Sequence, residues 1–141
     1  MSEPTPSAPH PPPPRLPPSL DEIEDLAVEA LKTIPEQLAR HVRGVVIRVE
    51  DFCDAETEDA LELDSPFDLL GLYRGVSLPR QIGVATRTET DMIFLYRRPM
   101  LDYWCETGEA LEDVVRHVLI HEIGHHFGFS DADMERIEAQ D

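Results

Sequence analysis

Apolar residues along this chain follow two different periods. Ile23, Leu26, Ala27, Ala30, Leu31 and Ile34 recur at helical spacing, and Ser19 with Glu22 forms a capping-box pattern just ahead of them. Pro35 breaks this helix and starts a short second one that ends near His41. Residues 44–50, with Val45, Val46, Ile47 and Val49, read as a strand. An acidic, irregular segment follows to about Asp64. Residues 66–75 allow two readings, a strand over 69–73 bounded by glycines or a turn of helix and a loop. Residues 81–86 and 92–97 read as strands joined through 88–91, and 99–105 as a short helix.

The last long element is the clearest. Leu111, Val114, Val115, Val118 and Leu119 form one stripe, with Thr107 as the expected N-cap and Glu109, Glu112 and Asp113 near the positive end of the helix dipole. This order predicts an α+β domain, a small mixed sheet with helices packed on one face. The folded unit is expected over residues 20–141. Residues 1–19 hold nine of the thirteen prolines and read as a disordered, polyproline-like arm.

The stripe runs into His121-Glu122-Ile123-Gly124-His125, then Gly128 and Asp131. Residues four apart lie about 40° apart around a helix, so His121 and His125 point two imidazoles at one ion. Glu122 lies about 100° further round, displaced from the metal yet within reach of its water. It also continues the apolar stripe, which predicts a raised pKa suited to a base. A catalytic zinc takes three protein ligands and keeps one open position. Gly128 favours a sharp turn that folds the chain back, making Asp131 the natural third ligand. Asp133, Glu135, Glu138 and Asp141 are the other acids after the turn. His117 reads as structural or as a neighbour of the ligands, His126 as a hydrogen-bonded core histidine, and Met134 as packing for a short final helix rather than a floor under the metal.

Residues 121–131, with 69–75 and 93–99, resemble the small bacterial zincin-like metallopeptidases over about residues 20–135. The resemblance implies a compact zincin-like fold and peptidase chemistry, with a peptide or protein substrate. The H-E-x-x-H-x-x-G-x-x-D pattern is also similar to the metzincin pattern, with Asp131 in place of a third histidine. The implied reaction is zinc-dependent (Zn2+) peptide hydrolysis through a zinc-activated water, Glu122 serving as general base. Tyr73, Tyr96, Tyr103 and Arg74 are candidates for stabilising the oxyanion. By analogy with zincin-like folds, an extended substrate adds to a sheet edge above the zinc helix, and residues 92–97 are the candidate edge.

Composition narrows the partners. The formal charge is −17, and nine acids fall from Glu50 to Asp68 with no base among them. That balance argues against nucleic acid and anionic membranes. Two cysteines, no leader-like apolar stretch and no membrane-length run point to a reducing cytoplasm with free thiols. Two other classes compete with the peptidase. One is a non-catalytic module that a metal staples together, which would show a closed fourth ligand from His117 or a tail acid. The other is a zinc-dependent RNA hydrolase, against which Glu122 and the acidic charge both weigh.

Overall fold

The computed structural model describes residues 16–75 and 90–139. Along these residues run α1 (Leu20–Leu31), α2 (Glu36–Ala39), β1 (Val46–Glu50), α3 (Ala55–Ala60), a 3-10 turn (Pro66–Asp68), β2 (Gly71–Arg74), β3 (Met92–Tyr96), α4 (Arg97–Thr107), α5 (Leu111–His126) and α6 (Asp131–Glu138). The class is α+β. The expected strand over 81–86 and most of the proline-rich arm lie outside the described residues.

The sheet is mixed, in the order β1-β3-β2. β1 runs parallel to β3, with Val46 opposite Met92 and Glu50 opposite Tyr96. β2 runs antiparallel to β3, with Gly71 opposite Leu95 and Arg74 opposite Met92. Residues 92–97 are therefore not the edge expected of them, since Met92–Tyr96 is paired on both sides. The reason lies in the composition of β3, apolar at every position, which suits a strand covered on both faces. β1 and β2 are the two edges among the described residues, and β2 is the one that meets α5; the open reading of 66–75 resolves into a turn followed by a strand.

The two faces of β3 serve different layers. Ile93 and Leu95 enter the main core with Ile23, Ala27, Leu119 and Ile123, where α1 and α5 cover the sheet. Phe94 and Tyr96 enter a smaller cluster with Cys53 and Leu72 on the opposite face. The acidic stretch that roofs this side is more regular than its sequence suggests. Asp54 accepts from the Thr57 amide at 2.7 Å and starts α3, an N-cap that holds its carboxyl below the ordinary range. A six-residue helix is too short to show an apolar period.

Caps set the other boundaries. The Ser19–Glu22 capping box is present, with the Glu22 amide donating to Ser19 Oγ at 3.1 Å. Thr107 is not the cap of α5. It closes α4, where Gly108 turns left-handed at φ 70° and its amide donates to Trp104 O at 3.0 Å. α5 begins after Ala110 without a side-chain cap. The start of α4 is tied to distant chain: Arg97 donates to Pro18 O at 2.6 Å and pairs with Asp51 at 3.0 Å. Cys53 is buried and free, Cys105 is exposed and free, and no helix of the described residues is long and apolar enough to cross a membrane.

Gly71 is where the edge strand meets the long helix. A Cβ at this position would lie 2.8 Å from Val118 Cγ1 and 3.1 Å from the Phe94 carbonyl oxygen. Neither neighbour has room to withdraw, because Val118 is buried and the carbonyl belongs to the central strand. Gly71→Ala is expected to cost about 1–3 kcal/mol as overpacking, read from the urea midpoint; an unchanged midpoint would show that β2 does not press on α5.

Candidate metal centre

α5 begins as a core helix and ends as a donor array. Val114, Val115, Leu119, Ile120 and Ile123 are fully buried, while His117, His121 and His125 occupy successive turns of one flank, their rings 4.1 and 5.8 Å apart. The helix stops as its sequence predicts. Gly128 takes φ 82°, the Phe129 amide donates to Gly124 O at 2.8 Å, and the Gly128 amide donates to His125 O at 3.2 Å. That pair of bonds is a Schellman closure. Ser130 then caps α6 through a second capping box with Asp133, so Asp131 stands in the first turn of the returning helix.

α6 lies close on α5. Met134 is fully buried, and a Cβ on Gly124 would collide with its sulfur. Met134 therefore packs the final helix, and the glycine inside the histidine motif is the socket that admits it.

This packing brings His121, His125 and Asp131 together, each offering one ligand atom within 4.8 Å of the others. His125 Nε2 and Asp131 Oδ1 are 3.2 Å apart, close to the ~3.4 Å spacing of two tetrahedral ligands with bonds of about 2.1 Å. Both are exposed to solvent. His121 is less exposed, and burial, with His117 beside it, lowers its pKa. The neutral imidazole so favoured is the form that ligates a metal. The donor set of two nitrogens and a carboxylate fits zinc.

Glu122 points from α5 toward β2. Its Cγ would lie 3.4 Å from a Cβ on Gly71. Burial pushes its carboxyl up to about 6, while the charge of His125 and a hydrogen bond from the Tyr73 backbone pull it down. Burial wins, as the apolar stripe predicts.

The other candidates separate. Tyr73 is buried, donates its hydroxyl to Asp91 at 2.7 Å and stacks on His126 at 4.0 Å. Tyr96 lies in the small cluster with Cys53, its hydroxyl pushed up to about 12 by burial. Arg74 covers the Phe94 ring at 4.9 Å. Tyr103 lines a cleft with His117 and Glu138. His126 is exposed rather than a core histidine, because β2 offers it the Tyr73 ring instead of an interior. Glu138 was only one acid among several in the sequence, yet its Oε1 lies 2.8 Å from His117 Nδ1 and 3.2 Å from His121 Nε2. Its spacing of seventeen residues from His121, across a turn, carries no local signal.

A family model described as zincin-like metallopeptidase matches residues 42–140, well over half of the chain. No curated protein matches.

The Glu122 shift has a consequence for stability. Its folded pKa, about 6, exceeds the ordinary 4.5, so the folded state binds more protons between these values and stability falls as pH rises through them. In the metal-free chain, Glu122→Gln is expected to stabilise the fold by about 1–2 kcal/mol at pH 7.5, from 1.36 kcal/mol per unit, and by almost nothing near pH 3.5, below the unfolded value. Parallel denaturation curves at the two pH values are the check.

Proposed function

The chain belongs to the zincin-like metallopeptidase family, and from that membership we propose that it is a zinc-dependent peptidase, with His121, His125 and Asp131 as metal ligands and Glu122 as general base. The observation that supports this most is a part-buried carboxyl, raised to about 6, beside three donors that one ion is able to bridge. His125 is the charge that Glu122 feels, so the base stands at the exposed end of the donor row, where a substrate arrives.

Zinc held by these ligands would supply Lewis acidity, making water more acidic and a peptide carbonyl more electrophilic. The remaining steps fall to the chain. Glu122 takes a proton from the attacking water and passes it to the leaving amine, and a pKa near 6 lets one group do both close to neutral pH. The Tyr73 backbone hydrogen bond fixes where that carboxyl points. His121, kept neutral, leaves a nitrogen free to ligate. β2 takes over the docking role first expected of residues 92–97: an extended peptide adding to this edge would run alongside Glu122. The substrate class is peptide or protein.

Glu122→Gln is expected to keep zinc while losing peptidase activity by at least about a hundredfold, measured as metal content and turnover of a quenched peptide library. Full activity in that variant would end the mechanism. His125→Ala and Asp131→Ala should each lose activity together with the tightly held zinc. Gly124→Ala should weaken zinc binding without touching a ligand, since the added methyl pushes Met134 and α6 away from α5; unchanged affinity by calorimetric titration would show that the helix contact does not set the ligand positions.

A further inference from the structure

The donors around His121 exceed what one ion needs. His117, His121 and Glu138 form a second group whose ligand atoms also lie within 4.8 Å of one another. Glu138 Oε1 is enclosed, accepts no well-formed hydrogen bond, and faces His117 Nδ1 at 2.8 Å and His121 Nε2 at 3.2 Å. A buried carboxylate oxygen normally finds donors of good geometry. Here it finds two imidazole nitrogens: His121 stands near the ~3.4 Å separation of ligands sharing an ion through bonds of about 2.1 Å, and His117 stands closer, at ion-pair distance, so it would draw back slightly to admit a cation. A cleft lined by Tyr103, Glu109, Asp113, Arg116, His117 and Glu138 opens onto the group, and its acids favour entry of a cation.

We propose that His117 and Glu138, with His121 between them, form a second divalent-cation site that takes zinc or a similar transition ion. It competes with the first site for His121. The inference rests on the proposed metal centre only through that shared residue. Two nitrogens and one carboxylate are a borderline donor set, suited to zinc, cobalt or nickel rather than to calcium or magnesium. The two groups differ in setting: the first is exposed at His125 and Asp131, whereas His117, His121 and Glu138 are all part-buried. Excess zinc therefore occupies His117 and Glu138 and draws on His121, so activity falls as the second ion loads.

The test is zinc stoichiometry of the full chain by native mass spectrometry, with calorimetric titration for affinity. The expected result is a second, weaker zinc on the wild-type chain, bound through His117 and Glu138 and gaining His121 only as that residue leaves the first ion. The double variant His125→Ala/Asp131→Ala, which lacks the donors exclusive to the first site, should still bind one zinc. Adding His117→Ala or Glu138→Gln to it should remove that zinc. If the double variant is folded by circular dichroism yet binds none, or keeps its zinc after both further changes, the second site does not exist and Glu138 is only an ion-pair partner of the two histidines. If instead the tight wild-type zinc ignores His125→Ala and Asp131→Ala, the peptidase reading fails, while the second site is judged on the His117 and Glu138 variants alone.

Discussion

The close seat of α6 on α5 is the contact on which the metal centre depends. Gly124 has no side chain, Met134 fills the space, and the Schellman turn at Gly128 returns the chain at the right point. With a larger residue in the socket, Asp131 and Glu138 would both move away from the histidine row. The motif thus encodes more than ligands. One of its two intervening residues, Gly124, is a packing device, and the other, Ile123, is buried core. The histidines ride on a helix that the core holds from behind.

Glu122 depends on the sheet in a similar way. It is raised to about 6 because β2 crosses α5 at Gly71, where helix and strand approach too closely for a side chain on the strand. The same strand supplies the Tyr73 amide that orients the carboxyl and the ring that stacks on His126. A base held in the border between core and cleft combines partial desolvation with access to water, the two conditions a proton shuttle near neutral pH requires. β3 makes this possible from a distance. It lies buried on both faces and leaves β2 as the strand beside the site.

His121 stands between two donor groups, and burial together with the neighbouring His117 disfavours its charged form. Its environment on one side is exposed, toward His125 and Asp131, and on the other enclosed, toward Glu138. A helix that presents histidines on three successive turns to one returning helix creates such sharing by geometry. Each acid that α6 brings back lands beside a different turn of α5, Asp131 near His125 and Glu138 near His117 and His121.

The sequence alone determined whatever depends on residues a turn or two apart: the apolar face of α5, the pairing of His121 with His125, the raised Glu122, the left-handed stop at Gly128, the return of Asp131, and the Ser19 cap. Helical period and backbone sterics act locally, so spacing suffices to read them. Only the tertiary structure decided that Met92–Tyr96 is central rather than an edge, that His126 faces out against Tyr73, that Thr107 closes α4 instead of opening α5, and that Glu138 reaches back to His117. Those outcomes depend on which surfaces meet across long stretches of chain. An apolar strand or a lone acid looks the same in sequence whichever neighbour it finally meets, because its burial is fixed by packing partners and not by its own neighbours in the chain.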